Sequence, residues 1–370
     1  MSPRTLVHCP HWHSVWKLAT GAVGIVLALL VTSGCSDTAG QDDANRPSAS
    51  PSSAHGNTPT QSGSSAATPS ATPPSAEPTY DVGSAVSLPA YFDREFDGGD
   101  LRLGGVRERT SSYTSYDVTY RSQRWRISGV LNVPRGKGPF PAVVLAHGYI
   151  DPAVYFSGQG MPREREWLAD AGYVALHTDY RNHAGSDDDP ALGRNFRLGY
   201  AVDAINAVNA LRATEDVPVD DNRVALMGRS MGGGVVYKAL EMAPDLVDAG
   251  VVFAAVSSDE ADNFAQFRSG RSSSWTSVER RWGRPAANPA LWSGISARPY
   301  LDRITEPVLL QHGTRDTTCP PEWARATYRA MRDAGVDVQL DWYQGEGHTF
   351  EAQFDDAMRR TVRFLNRQLA

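Results

Sequence analysis

The sequence is poor in cysteine. Three cysteines occur among its 370 residues, at Cys9, Cys35 and Cys319. Cys9 and Cys35 flank an apolar segment near the start of the chain, so only Cys319 lies where the pattern indicates a folded domain. That domain therefore has no internal disulfide and depends on its core for stability. We expect Cys319 to be a small buried side chain rather than a reactive thiol.

The sequence also lacks an excess of basic residues, a metal-ligand cluster and an internal repeat. It has 36 Lys and Arg against 42 Asp and Glu, which gives a formal net charge of -6. A nucleic-acid-binding domain needs a clustered basic face instead. The sequence has no internal repeat of about 20–50 residues, which is the pattern typical of a solenoid or propeller. We therefore expect no nucleic-acid partner, no metal and no cofactor.

No apolar run is long enough for an ordinary membrane span. Residues 18–31 form an apolar run of about 14 residues, whereas a transmembrane helix needs about 20. The run follows Arg4 and Lys17 and ends in TSGC, where Cys35 comes after two small residues. This ending resembles the lipobox of a bacterial lipoprotein signal, although Thr32 stands where that pattern prefers Leu or Val.

The lipobox resemblance implies that residues 1–34 are a lipoprotein signal peptide and that Cys35 receives the lipid. It implies an exported protein on the outer face of the bacterial cytoplasmic membrane, attached through the lipid anchor only. The alternative is an ordinary secretory signal with an incidental cysteine, which makes the protein secreted. Residues 35–80 are rich in Ser, Thr, Pro and Ala and predict a disordered tether. Residues 81–370 form the predicted folded domain.

Strands alternate with helices along the predicted domain. Two alternating segments predict an antiparallel hairpin, and later continuous apolar runs predict strands buried on both faces. The eight predicted strands are 115–122, 125–134, 141–148, 173–180, 223–228, 248–258, 306–313 and 338–344. Helices are predicted at 163–172, at 196–214, after the glycine-rich segment to about 243, at 321–334 and at 350–368. This order predicts an α/β fold with a mostly parallel eight-stranded sheet and helices on both faces.

One serine is flanked by glycines at a predicted strand-to-helix junction. Gly228-Arg229-Ser230-Met231-Gly232 follows an apolar run and precedes a helical pattern. This is the context in which G-x-S-x-G forms a nucleophile elbow, where only glycine lacks the Cβ that clashes in the strained turn. We predict that Ser230 is the nucleophile and that Gly228 and Gly232 form the elbow. The alternative is a glycine-rich packing turn.

A serine nucleophile needs a base and an acid. His348, in GEGHTF, follows the last predicted strand and precedes the last helix, so it is the predicted base. Asp316, in HGTRDTTCP, follows the penultimate strand and is the predicted acid. Asp259, one strand earlier, is the rival acid. The order Ser230, Asp316, His348 is the one found in α/β hydrolases.

Acyl transfer also requires hydrogen-bond donors for the oxyanion. The residue after the nucleophile, Met231, supplies one predicted backbone N–H. The loop after VVLAHG supplies the other, which we assign to Tyr149.

Several motifs together carry a family resemblance. VVLAHGY, LADAGYVALHTDYRNHAGSD, GRSMGGG, HGTRDTTCP and GEGH occur in that order. Residues from about 110 to 368 thereby resemble the catalytic domain of the prolyl oligopeptidase family of serine peptidases. The resemblance implies an α/β-hydrolase fold and a serine acyl-enzyme that cleaves small esters or short peptides. Asn182 departs from the DYRGHG common in the family, and residues 81–110 are too few for the family's β-propeller. Single-domain relatives are often carboxylesterases, which is the alternative activity.

Residues 259–305 form a predicted cap insertion rich in aromatic residues and arginines. Its aromatic residues are Phe264, Phe267, Trp275, Trp282, Trp292 and Tyr300. Its arginines include Arg268, Arg271, Arg280, Arg281 and Arg284. One interpretation is an apolar acyl pocket with cations for an acidic group. The other is that the aromatic residues pack the cap and the arginines stay in water. A non-catalytic ligand-binding lipoprotein is the remaining, less favoured hypothesis.

Overall fold

A nine-stranded sheet forms the centre of the part of the chain that the structure describes. This computed structural model describes residues 86–370 apart from residues 269–272. The strands are β1 (Gly99–Arg109), β2 (Tyr113–Ser122), β3 (Trp125–Pro134), β4 (Phe140–Ala146), β5 (Val174–Thr178), β6 (Val219–Arg229), β7 (Ala249–Phe253), β8 (Val308–Gly313) and β9 (Val338–Tyr343). The predicted signal peptide, lipidation site and tether lie outside the described residues.

Eight α-helices are described around this sheet. They are α1 (Pro162–Asp170), α2 (Leu198–Ala213), α3 (Met231–Met242), α4 (Glu260–Phe267), α5 (Ser273–Trp282), α6 (Pro289–Ile295), α7 (Pro321–Asp333) and α8 (Phe354–Gln368). Short 3-10 helices lie at Leu88–Tyr91, Leu192–Arg194 and Arg298–Arg303. None of the helices among the described residues is long and apolar enough to cross a membrane.

The strand order is β1-β2-β3-β5-β4-β6-β7-β8-β9. The first three strands are antiparallel to their neighbours, and β4 to β9 run parallel. The predicted hairpin is β2–β3, and the mostly parallel sheet with helices on both faces is confirmed. The carboxyl ends of the parallel strands meet at one edge of the sheet, where α/β proteins place their sites.

The predicted number of strands, eight, was one too few. The additional strand is β1, with the sequence GDLRLGGVRER. It lies at the edge of the sheet, most of its side chains after Leu101 are exposed, and Gly104 and Gly105 interrupt it. Its pairing with β2 also shifts register three times. An exposed, irregular edge strand has no alternating apolar pattern, so periodicity did not reveal it.

The core lies on both faces of the sheet. In β4, Ala142 and Val144 belong to the hydrophobic cluster under α2 and α3, whereas Val143 and Leu145 belong to the cluster under α1 and α8. All four side chains are fully buried. Each such valine or leucine contributes about 1.5–3 kcal/mol relative to exposure. The rigid sheet thus fixes the loops that follow its strands.

The helix predicted from residue 196 begins two residues later. Phe196 and Arg197 have φ angles of 48° and 58°, in the left-handed region that non-glycine residues avoid. They form a turn that α2 follows from Leu198. Both side chains face the cavity described below.

Candidate active site

Ser230 lies at the sharp turn between β6 and α3. Its φ and ψ angles are 56° and -121°, which is strained for an L-residue and typical of a nucleophile elbow. A Cβ on Gly228 would lie 2.2 Å from the Gly232 carbonyl oxygen. A Cβ on Gly232 would lie 1.9 Å from the Ala146 carbonyl oxygen. Only glycine fits at either position.

Backbone hydrogen bonds hold this turn against the neighbouring strand. The Ser230 N–H donates to the Phe253 carbonyl at 3.0 Å, and the Ser230 carbonyl accepts from Val256 N–H at 3.2 Å. The turn is therefore fixed to β7 and to the loop after it. A serine held in this way needs little reorganisation before it reacts.

Asp316 and His348 are hydrogen-bonded to each other. His348 Nδ1 lies 2.8 Å from Asp316 Oδ2, and the Asp316 carboxylate is fully buried. Its other oxygen, Oδ1, accepts from the backbone N–H groups of Thr318 and Cys319, each at 2.9 Å. A carboxylate can only accept, so His348 Nδ1 carries the proton and Nε2 is left as a base.

One cavity brings the predicted nucleophile, base and oxyanion residues together. It has a volume of about 650 Å³, and Ser230, His348, Met231 and Tyr149 all line it. A substrate carbonyl in this cavity lies next to the serine, the imidazole and the two residues whose N–H groups are the predicted oxyanion donors. This arrangement is suited to acyl transfer.

His312 is a site residue that the sequence analysis did not single out. Its Nε2 lies 2.8 Å from the Cys319 carbonyl oxygen and 3.5 Å from Asp316 Oδ2. Because a carbonyl can only accept, Nε2 carries the proton. Burial lowers the pKa of His312, so the ring is neutral at pH 7. His312 thus places a neutral N–H beside the Asp316 carboxylate and fixes the loop that carries it.

Asp259, the rival acid, has a different role in the structure. Its side chain accepts from Ala261 N–H and caps α4. It also pairs with Arg298 at 3.4 Å. It is Asp316 that contacts His348.

Two consecutive residues of α1 contact the loops that carry Ser230 and His348. Glu164 forms a buried ion pair with Arg229, the residue before Ser230. Arg163 donates to the carbonyl oxygens of Thr349 and Phe350, at 2.7 and 3.1 Å. The first turn of α1 therefore links both loops, although its sequence carries no motif.

Arg197 connects the two residues of the predicted oxyanion hole. Its guanidinium carbon lies 4.8 Å from the centre of the Tyr149 ring, and its Nη1 lies 3.8 Å from Met231 Sδ. Cation–π attraction of this kind stabilises a partly exposed ring by about 0.5–1 kcal/mol. The contact depends on the left-handed turn at Arg197, which sequence periodicity does not reveal.

A buried polar cluster supports the loop that carries Tyr149. The Asp179 carboxylate accepts from Tyr155 Oη at 2.7 Å and from Ser157 Oγ at 2.6 Å. His147 stacks on Tyr155, with ring centres 4.7 Å apart. Burial lowers the pKa of His147 to about 4, so this ring too is neutral at pH 7. These contacts hold the loop after β4 in place.

The cap insertion divides its aromatic residues between two roles. Phe264 and Trp292 are buried in a separate cluster beneath the cap, as the packing interpretation expects. Phe267 and Trp275 line the cavity, as the pocket interpretation expects, and Trp275 also packs against Phe264 and Trp292. Arg271 lies outside the described residues, and Arg280, Arg281 and Arg284 are exposed.

Cys319 is fully buried next to the site. Burial raises the pKa of its thiol well above the ordinary value, so it is protonated at pH 7 and is a poor nucleophile. Among residues 86–268 and 273–370, no group of three or more His, Cys, Asp or Glu side chains is arranged to hold a metal ion.

Comparison with known proteins places this site in a family. The sequence profile of the prolyl oligopeptidase family matches residues 160–370. The chain is 26% identical over 227 residues to dipeptidyl aminopeptidase BIII of Pseudoxanthomonas mexicana, covering 59% of this chain and 32% of that protein. It is 27% identical over 243 residues to the acylamino-acid-releasing enzyme of Rattus norvegicus, covering 62% of this chain and 32% of that enzyme. The chain thus spans about a third of the length of these relatives.

A solved structure resembles this chain in overall fold. Acetyl xylan esterase 1 from Thermoanaerobacterium sp. matches with a TM-score of 0.58 and 22% identity, over 75% of this chain and 93% of that chain. This likeness shows the fold, which is that of the α/β hydrolases. Because the family profile covers more than half of the sequence, the chain belongs to the prolyl oligopeptidase family.

Proposed function

We propose that the protein is a serine hydrolase that cleaves small esters or short peptides through an acyl-enzyme. Ser230 Oγ attacks the substrate carbonyl while His348 Nε2 takes its proton. Asp316 keeps the proton of His348 on Nδ1 and stabilises the imidazolium that forms. The N–H groups of Tyr149 and Met231 donate to the oxyanion. His348 then protonates the leaving alcohol or amine. Water next attacks the acyl-enzyme while His348 Nε2 takes its proton, and His348 returns that proton to Ser230 Oγ as the acid leaves.

One observation carries this proposal. The Asp316–His348 hydrogen bond leaves an imidazole nitrogen free as a base in the cavity where Ser230 lies on a strained turn. Family membership and the two peptidase relatives support the same chemistry. A packing turn alone accounts for the glycines but not for the paired carboxylate and imidazole.

A carboxylesterase is the second candidate, and the ion pair of Glu260 with Lys238 favours it. A peptidase that holds a free amino terminus needs an available carboxylate. Two carboxylates line the cavity. Asp151 is exposed and its Oδ1 accepts from Ala153 N–H at 3.0 Å, whereas Glu260 is paired with Lys238 and also accepts from Asn263 at 3.1 Å. The charge of Glu260 is therefore already neutralised, which suits an uncharged acyl group beside it.

The test compares an aryl ester with a peptide anilide that shares its acyl group, using the full chain. We expect hydrolysis of at least one substrate and loss of hydrolysis in Ser230→Ala. Ser111→Ala, at an exposed serine, is the matched control and keeps the activity. Unaltered hydrolysis in Ser230→Ala would refute the proposal. Stoichiometric ligand binding by a protein that does not react with a fluorophosphonate would favour the non-catalytic alternative.

We also propose that the protein is exported and anchored through a lipid on Cys35. The apolar run at 18–31 and the small residues before Cys35 support this proposal. Mass spectrometry of the mature amino terminus should find a diacylglyceryl cysteine, and Cys35→Ala should release the protein from the membrane fraction. An unmodified mature terminus would indicate a secreted protein instead.

A further inference from the structure

We propose that the cavity is a channel that binds an extended, uncharged apolar acyl group about 10 Å long, laid along α3 from Ser230 towards Lys238. The inference rests on the proposed function and adds its substrate class. Fatty acyl esters and blocked apolar peptides share this chemistry.

The direction of the channel follows from one face of α3. Met231, Gly234, Val235 and Lys238 all line the cavity. Their spacing of three, one and three residues places them on the same side of the helix. Because a helix rises 1.5 Å per residue, the path from Met231 to Lys238 is about 10 Å long. The cavity therefore extends about two helical turns beyond the nucleophile.

Much of the channel wall is apolar. Gly234 presents no side chain there, and a Cβ at that position would lie 2.8 Å from Val256 Cγ2. Residues from other elements complete the walls, and those with apolar side chains are Phe196, Ala201, Val256, Phe267, Trp275 and Val278. An acyl chain here loses contact with water and gains contact with these side chains.

The far end of the channel is closed by an ion pair. Lys238 and Glu260 contact each other, and their side chains are only 11% and 14% exposed. An apolar chain that reached past them would remove their remaining water without offering a hydrogen bond, which is unfavourable. The ion pair therefore sets an upper limit on chain length.

The channel length defines the chain that fits. A fully extended peptide residue has three backbone bonds and spans about 3.5 Å, so an extended chain advances about 1.2 Å per bond. A 10 Å channel then holds about eight bonds, which corresponds to an acyl chain of about eight carbons or a peptide of about three residues. An acetyl group leaves most of the 650 Å³ cavity unfilled.

The first experiment measures kcat/KM of the full chain for p-nitrophenyl esters from acetyl to dodecanoyl. Each added CH₂ group should raise kcat/KM by about two- to fourfold up to about eight carbons, after which kcat/KM should fall. A parallel series of blocked apolar peptide p-nitroanilides of one to four residues shows whether the channel takes fatty acyl groups or peptides. A maximum at eight carbons or at three residues supports the channel, and the better series shows which substrates the protein uses.

Two variants test the walls and the end of the channel. Val235→Phe places a phenyl group one turn beyond Met231 and should lower the octanoate-to-acetate ratio of kcat/KM at least tenfold. Val106→Phe, the same change on the exposed edge strand, should leave that ratio unchanged. The double variant Lys238→Met, Glu260→Met removes both charges together and should move the optimum to longer chains. If Val235→Phe does not fold, the shift of the optimum in this double variant still tests the channel.

Failure of the channel and failure of the proposed function give different results. Ser230-dependent hydrolysis with no dependence on chain length, or with a maximum at acetate, overturns the channel and leaves the serine hydrolase intact. An optimum that does not move in the double variant overturns the role of the ion pair as the end of the channel. Hydrolysis that does not depend on Ser230 overturns both.

Discussion

Replacing Asp316 by asparagine tests the proposed acid–base pair by changing the one atom that faces His348 Nδ1. Asp316 Oδ1 accepts from Thr318 and Cys319 N–H groups at 2.9 Å, and Oδ2 faces His348 Nδ1 at 2.8 Å. In Asp316→Asn the amide oxygen keeps the two backbone donors, so the NH₂ group faces His348. Two donors cannot share a hydrogen bond, and His348 must move its proton to Nε2. That tautomer cannot accept the proton of Ser230.

We expect kcat of Asp316→Asn to fall about 10³–10⁴-fold, because the wrong imidazole tautomer removes general-base catalysis. This loss corresponds to a barrier about 4–5.5 kcal/mol higher. The assay is steady-state hydrolysis of a short aryl ester, and the fold is checked by the thermal unfolding midpoint.

Asp259→Asn is the matched control. Asparagine caps a helix as well as aspartate does, so α4 is kept, and kcat should stay within about twofold of the original value. If Asp259→Asn lost more activity than Asp316→Asn, or if both kept full activity, the assignment of the acid would be refuted.

Three further predictions concern stability, each measured by urea unfolding. Glu164→Gln should lower stability by about 3–5 kcal/mol, because it leaves the buried Arg229 charge unpaired; an unchanged midpoint would contradict the ion pair. Gly232→Ala should cost about 3 kcal/mol or more, since its Cβ meets a backbone carbonyl; a fully stable variant would show that the elbow can relax. Burial raises the pKa of Glu241 in the folded protein well above its ordinary value. The unfolded chain therefore releases this proton at a lower pH than the folded protein does, and the free energy of unfolding falls as pH rises above the unfolded pKa of about 4.3. Glu241→Gln should therefore gain stability relative to the original protein between pH 4 and pH 8, and a difference that did not change with pH would contradict this.

The fold was largely predictable because buried parallel strands have a strong local signal. The continuous apolar run at 141–148 predicted β4, whose alternate residues pack against helices on opposite faces. The edge strand β1 has no such signal, because its exposed side chains need no pattern. A strand or helix is therefore easiest to predict from local sequence when most of its side chains are buried.

The positions of Ser230, Asp316 and His348 were predictable because each follows a parallel strand, and the topology brings these strand ends to one edge. The contacts around them were not. Arg197 reaches Tyr149 only through a left-handed turn, and helical periodicity continues through that turn. His312 contacts Asp316 because of the path of a loop, which depends on tertiary packing.

The most direct test of the account is to locate the nucleophile chemically. The full chain is reacted with a fluorophosphonate, digested, and the modified peptide is sequenced by mass spectrometry. We predict one adduct per chain, on Ser230, whose formation is abolished by His348→Ala. An adduct on another residue, or continued hydrolysis by a protein that forms no adduct, would contradict the central claim.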